Sequence, residues 1–98
     1  MTRQVVLRAE AESEFDDAFD YYEAERAGRG LEFTEEVNRA FDRVSAVPEA
    51  FQLVQSDIRR CLVRRFPYCV YYRVHTDRIE VIAIVHGRRD AAVWQSRT

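Results

Sequence analysis

The residues of this chain best suited to chemistry are arginines, aromatic rings and a strand-end histidine, and most stand in its second half. Residues 64–74 read RRFPYCVYYRV, where alternation puts Cys69, Tyr71 and Arg73 on one side and Val70, Tyr72 and Val74 on the other. Arginine and tyrosine on an outward face suit a protein interface, because each joins a large contact area to a polar handle. Arginine beside aromatic surface also suits nucleic acid. The structural alternative is that this face packs beneath the C-terminal tail, with Trp94 lying across it; both readings hold if the tail frames a groove. His86 stands immediately before Gly-Arg-Arg-Asp. A proton shuttle beside guanidinium groups that can hold a phosphate is what a metal-free ribonuclease requires, with His86 and Arg88 as the pair. The commoner role for one such histidine is a strand-end ring bonded to backbone, and that reading is preferred.

Other chemistries find no support. There is no glycine-rich phosphate loop, nucleophile elbow or His-x-x-x-His pair. The carboxylates of the first helix recur at the spacing of a solvated face. Cys61 and Cys69 lack Cys-x-x-Cys spacing and lie far from both histidines, so no metal site and no cofactor are expected. On neighbouring strands the two cysteines could be bridged, but in a cytosolic chain the expectation is two reduced thiols.

Charge is unevenly placed. Residues 1–51 hold 13 acidic and 6 basic side chains, a balance of −7, while residues 52–98 hold 4 and 9, a balance of +5. All 15 basic residues are arginine. Such asymmetry suggests a cationic face for an anionic partner.

The elements that must position these groups follow from hydrophobic period. The 98 residues fit one domain spanning the chain. No apolar run approaches the roughly 20 residues of a membrane span, and no secretory signal is visible, so a cytoplasmic protein is expected. RQVVLR at 3–8 predicts a strand. Ala11, Phe15, Ala18, Phe19 and Tyr22 then recur at helical spacing with an acidic back. AGRG at 27–30 supplies a turn, and Phe33, Val37, Ala40, Phe41, Val44 and Val47 mark a second helix stopped by Pro48. Residues 48–57 read as a loop anchored by Phe51 and Leu53. Strand-like runs follow at 58–65, 68–75 and 78–86, joined by links short enough for hairpins. In the last run Ile79, Val81, Ala83 and Val85 are expected to face one way and Ile82 and Ile84 the other. The fold class is α+β: an N-terminal strand and an antiparallel helix hairpin packed on an antiparallel sheet, in the order β-α-α-β-β-β.

With these elements in place the chain resembles the RelE/ParE superfamily of toxins from type II toxin–antitoxin (plasmid stabilization) systems. The likeness runs through FDYYEAE, GRGLEF, VPEAFQLV, IRRCLVRRFPYCVYYRV and IEVIAIVHGRRDAAVW, and FPY-x-VYY followed by H-x-RRD-x-x-x-W is its most specific part. The resemblance implies one of two activities. In RelE-type nucleases the second strand carries a basic pair, whose positions fall here on Arg60 and Leu62, so only one is kept. An arginine opening the third strand is replaced by Cys69; the tail arginine is Arg88, and Trp94 stands where a tyrosine would be. Half of that constellation is missing, so the resemblance points to the ParE-like branch, which inhibits DNA gyrase by binding. The alternatives are a ribosome-dependent mRNA endoribonuclease using His86 and Arg88, acting on ribosome and mRNA, and a degenerate toxin that only binds its antitoxin. The implied partner is a cognate antitoxin in a hetero-oligomer. The expected target- or antitoxin-binding residues are Arg60, Tyr71, Arg73, Arg88, Arg89, Trp94 and Arg97. Replacing Arg88 and Trp94 by alanine is expected to abolish toxicity and leave the fold intact.

Overall fold

At Arg8 the hydrophobic period changes from two to 3.6, and there the chain leaves a strand and enters a helix. The computed structural model describes residues 3–87 and 94–97. Strand β1 (Gln4–Leu7) turns Val5 and Leu7 toward the core and leaves Val6 exposed. Helix α1 (Ala9–Glu25) follows without a side-chain cap at Arg8. Helix α2 (Arg29–Ala46) begins after Gly28, whose φ of +89° is left-handed, where a side chain would be strained. The Glu23 carboxylate accepts the amides of Gly28 and Gly30, satisfying donors that open the second helix. Gly30 is required for a second reason: a Cβ there would lie 2.9 Å from both Glu23 Oε1 and the Phe19 ring.

A 3-10 turn (Pro48–Ala50) leads into β2 (Gln52–Gln55), β3 (Ile58–Leu62), β4 (Tyr68–Val74) and β5 (Arg78–His86). The sheet order is β1-β5-β4-β3-β2. Three neighbouring pairs are antiparallel, but β1 runs parallel to β5, with Gln4 opposite Arg78 and Leu7 opposite Val81. The sheet is therefore mixed rather than wholly antiparallel, because the strand that precedes the helix pair rejoins the sheet beside its last strand. Helices cover one face and the C-terminal turn the other.

Several expectations need correction. The segment after Pro48 is not only a loop: Gln52 and Leu53 pair with Arg60 and Arg59, making β2 an edge strand. Phe51 does pack on the core, but Leu53 is exposed, as is Val47 at the end of the helix stripe. The 58–65 run stops pairing at Leu62, and Arg65 turns the chain with a φ of +71°. In β5 a bulge opposite Tyr71 and Tyr72 reverses the alternation. Ile79, Val81 and Ile84 face the helices, whereas Ile82, Ala83 and Val85 face the C-terminal turn. The strand is apolar on both faces because both are covered.

The helix-side core centres on Phe33, which meets Phe15, Tyr22, Phe66 and Tyr68 at ring separations of 5.2–5.7 Å. Arg29 lies over the Phe66 ring at 4.5 Å. Tyr72 is fully buried and donates its hydroxyl to the Pro48 carbonyl at 2.6 Å, tying the 3-10 turn to the sheet. Cys61 and Cys69 are both free, and they belong to opposite faces of the sheet, so no bridge joins them.

Candidate functional site

Cys69, Tyr71 and Arg73 do share the face away from the helices, as alternation requires. The C-terminal turn covers that face. Trp94 is buried and stacks on Tyr71 with ring centroids 4.8 Å apart and planes inclined by 17°. Ile58, Ile82, Ala83 and Val85 complete a second small core around this pair. Burial pushes the Tyr71 phenol up; Cys69 beside it adds to the effect, while the Arg60 guanidinium bonded to the hydroxyl opposes it. Burial likewise pushes the Cys69 thiol up, so it stays neutral where the nuclease pattern would have a cation. Arg60, half-buried, also donates to Gln52 Oε1 at 2.8 Å. Arg60, Tyr71 and Trp94 thus form one assembly, in which the two rings are interior and the guanidinium stands nearest the surface.

The remaining cations are largely engaged. Arg73 holds both oxygens of Asp57 at 3.0 Å and lies 3.9 Å from Glu80. Arg59 donates to the carbonyls of Glu49 and Phe51, and Arg65 reaches Glu32 and Glu36 on α2. Arg97 makes a two-pronged pair with Glu14, both contacts at 2.9 Å, and also donates to the Ile82 carbonyl. The hydrogen bond to Glu14 raises the Arg97 pKa further. Glu14 in turn accepts the Ile84 amide. Beyond Val81 the edge of β5 has outrun β1, and the Glu14–Arg97 pair takes up backbone groups that a longer β1 would have bonded. Arg97 is therefore a clamp between the C-terminal turn, α1 and β5. Arg88 and Arg89 lie outside the described residues.

His86 ends β5, half-buried, with its ring edge-on to Tyr68 at 5.9 Å. It lines a cleft of about 510 Å³ between α1 and the end of the β4–β5 ribbon. The helix wall of that cleft carries Glu14, Asp17, Tyr21 and Glu25. Sequence reading missed this cleft. Its only signal is that these four residues, spaced three, four and four apart, occupy one helix face. Asp17 and Glu25 form no ion pair among the described residues. Burial first, then the neighbouring Tyr68 and Glu25, push the Tyr22 phenol at the cleft floor up. No described helix is long and apolar enough to cross a membrane.

Comparison with known proteins agrees with the fold. Residues 5–91 match the family described as ParE toxin of type II toxin-antitoxin system, parDE. The chain is 29% identical over 89 residues to Toxin ParE2 of Mycobacterium tuberculosis (strain CDC 1551 / Oshkosh), covering 89% of this chain and 84% of that one. Toxin ParE2 of strain ATCC 25618 / H37Rv matches equally. Among solved structures, a chain of the chromosomal ParDE TA system from P. aeruginosa superposes with a TM-score of 0.77 at 16% identity, covering 87% of this chain and 96% of that one. The four antiparallel strands, the helix hairpin and the matched span leave one conclusion: the chain belongs to the ParE toxin family of type II toxin–antitoxin systems.

Proposed function

We propose that this chain is a cytoplasmic toxin, neutralised by a cognate antitoxin, that acts by binding DNA gyrase rather than by cutting RNA. The observation that favours binding over cleavage is the setting of His86. It lines a cleft whose helix wall carries Asp17 and Glu25, unpaired among the described residues, and carboxylates repel the phosphates a nuclease must hold. Trp94, stacked on Tyr71 in the interior, is likewise not placed to stack on a base. Arg60 together with Arg88 and Arg89 remains the candidate target-binding set.

The test is a pair of assays on the purified chain. Inhibition of gyrase supercoiling, relieved by adding the antitoxin, is expected, with no cleavage of ribosome-bound mRNA. Cleavage of mRNA with supercoiling untouched refutes the proposal and makes His86 and Arg88 the residues to change.

A further inference from the structure

We propose that the cleft between α1 and the end of β5 is a receptor for an arginine side chain presented by a partner protein segment. The identification of that partner as the antitoxin rests on the function proposed above; the preference for a guanidinium does not. Three properties of the cleft define its occupant. It is open to solvent, about 510 Å³, which suits a side chain on an external segment rather than an enclosed small molecule. Its charge is one-sided: Asp17 and Glu25 stand on the helix wall with no ion-pair partner among the described residues, whereas the arginines of the sheet face are engaged elsewhere. Its remaining walls are aromatic and apolar. Tyr21 is 58% exposed and braced edge-on against Tyr22 at 5.2 Å, Ala18 lies beside it on the helix, and Val85 and Tyr68 stand on the strand side.

A guanidinium fits this combination better than an ammonium. It is planar and weakly hydrated, stacks on an aromatic face, and offers a forked set of donors to carboxylates. Its aliphatic stem would cover the apolar floor. Nucleic acid is disfavoured by the same carboxylates. Glu14 also lines the cleft and holds Arg97 and the Ile84 amide, so an incoming cation that reaches it shares a carboxylate with the clamp on the C-terminal turn.

The probe is an acetylated, amidated decapeptide with one arginine flanked by leucines, compared with the same peptide carrying citrulline, the neutral isostere. Titration of the isotope-labelled chain is followed by amide chemical shifts. Shifts centred on Asp17, Tyr21, Val85 and His86 are expected, with binding about tenfold weaker for the citrulline peptide. The difference should shrink with added salt and vanish in the doubly substituted Asp17→Asn, Glu25→Gln chain, whose two exposed positions leave the fold unchanged. Equal binding of the two peptides, or shifts on any other face, including those of self-association, overturns the proposal. A chain that inhibits gyrase yet fails this titration separates loss of the inference from loss of the functional reading.

Discussion

Replacing Trp94 separates its packing from its polar atom. The indole is 4% exposed and stacks on Tyr71, yet among the described residues its Nε1 has no hydrogen-bond acceptor. Trp94→Ala removes a fully packed ring, which costs ~3–5 kcal/mol, including ~1 kcal/mol for the stacked pair. In a domain of this size that is a fall in melting temperature on the order of 20 °C. Trp94→Phe keeps a stacking ring and loses only part of the buried area, roughly 1–2 kcal/mol. It also removes a buried donor whose desolvation costs ~1–3 kcal/mol when unpaired. The two effects oppose, so Trp94→Phe is expected within about 1 kcal/mol of the parent. The assay is urea unfolding followed by far-ultraviolet circular dichroism, since the chain has a single tryptophan and its fluorescence disappears with the substitution. A Trp94→Phe chain as weak as Trp94→Ala would show that the indole N–H makes a needed bond. A Trp94→Ala chain weakened by less than ~1 kcal/mol would show that the turn does not seal this face. Because Trp94 is buried against Tyr71, the paired alanine change with Arg88 is expected to weaken the fold as well as target binding, and Arg88→Ala alone is the cleaner probe of target binding.

Two further outcomes follow from the hairpin and the sheet. Gly30→Ala places a methyl group 2.9 Å from Glu23 Oε1 and the Phe19 ring, and this crowding should outweigh the better helix propensity of alanine. A net loss of about 1 kcal/mol is expected by thermal melting, and a raised melting temperature would show that both neighbours yield. Glu80 is held below the ordinary carboxylate value chiefly by its hydrogen bond from the His75 ring, with Arg8 and Arg73 assisting. A folded value below the unfolded one gives stability that is present above pH 4.5 and is lost as pH falls through the folded value. Glu80→Gln should therefore flatten the acid limb of a denaturation profile while changing the neutral region less; an unchanged acid limb would refute the linkage.

Elements with strong period were legible in the sequence. The apolar stripes of the two helices, the three C-terminal strands and the placement of Cys69, Tyr71 and Arg73 all follow from local spacing. What was hidden was non-local. The strand QLVQ has polar ends and an exposed leucine, so nothing in its own composition announces that it pairs with β3. The parallel β1–β5 contact and the β5 bulge depend on partners absent from the local window. The same holds for the site. A cationic second half reads as a binding face until Arg73 is found on Asp57, 16 residues away, and Arg97 on Glu14, 83 residues away. The acidic face of α1, read as solvated, turned out to wall a cleft because β5 runs past the end of β1 and leaves room beside it.

That overhang also orders the folding of the molecule. The helix hairpin and the ribbon from β2 to β5 are built from neighbours in sequence and can form from local contacts. Register between Gln4 and Arg78 instead closes a loop of more than 70 residues, the entropically slowest kind of step. The clamp from Glu14 to Arg97 spans still more of the chain. Both walls of the cleft come together through long-range contacts of this kind, among them Tyr22 with Tyr68 at a ring separation of 6.1 Å, so the surface offered to a partner is expected to arise late in assembly. A partly folded chain would have helices and hairpins but no receptor, and a partner that recognises the cleft would discriminate the completed toxin from its precursors by topology alone.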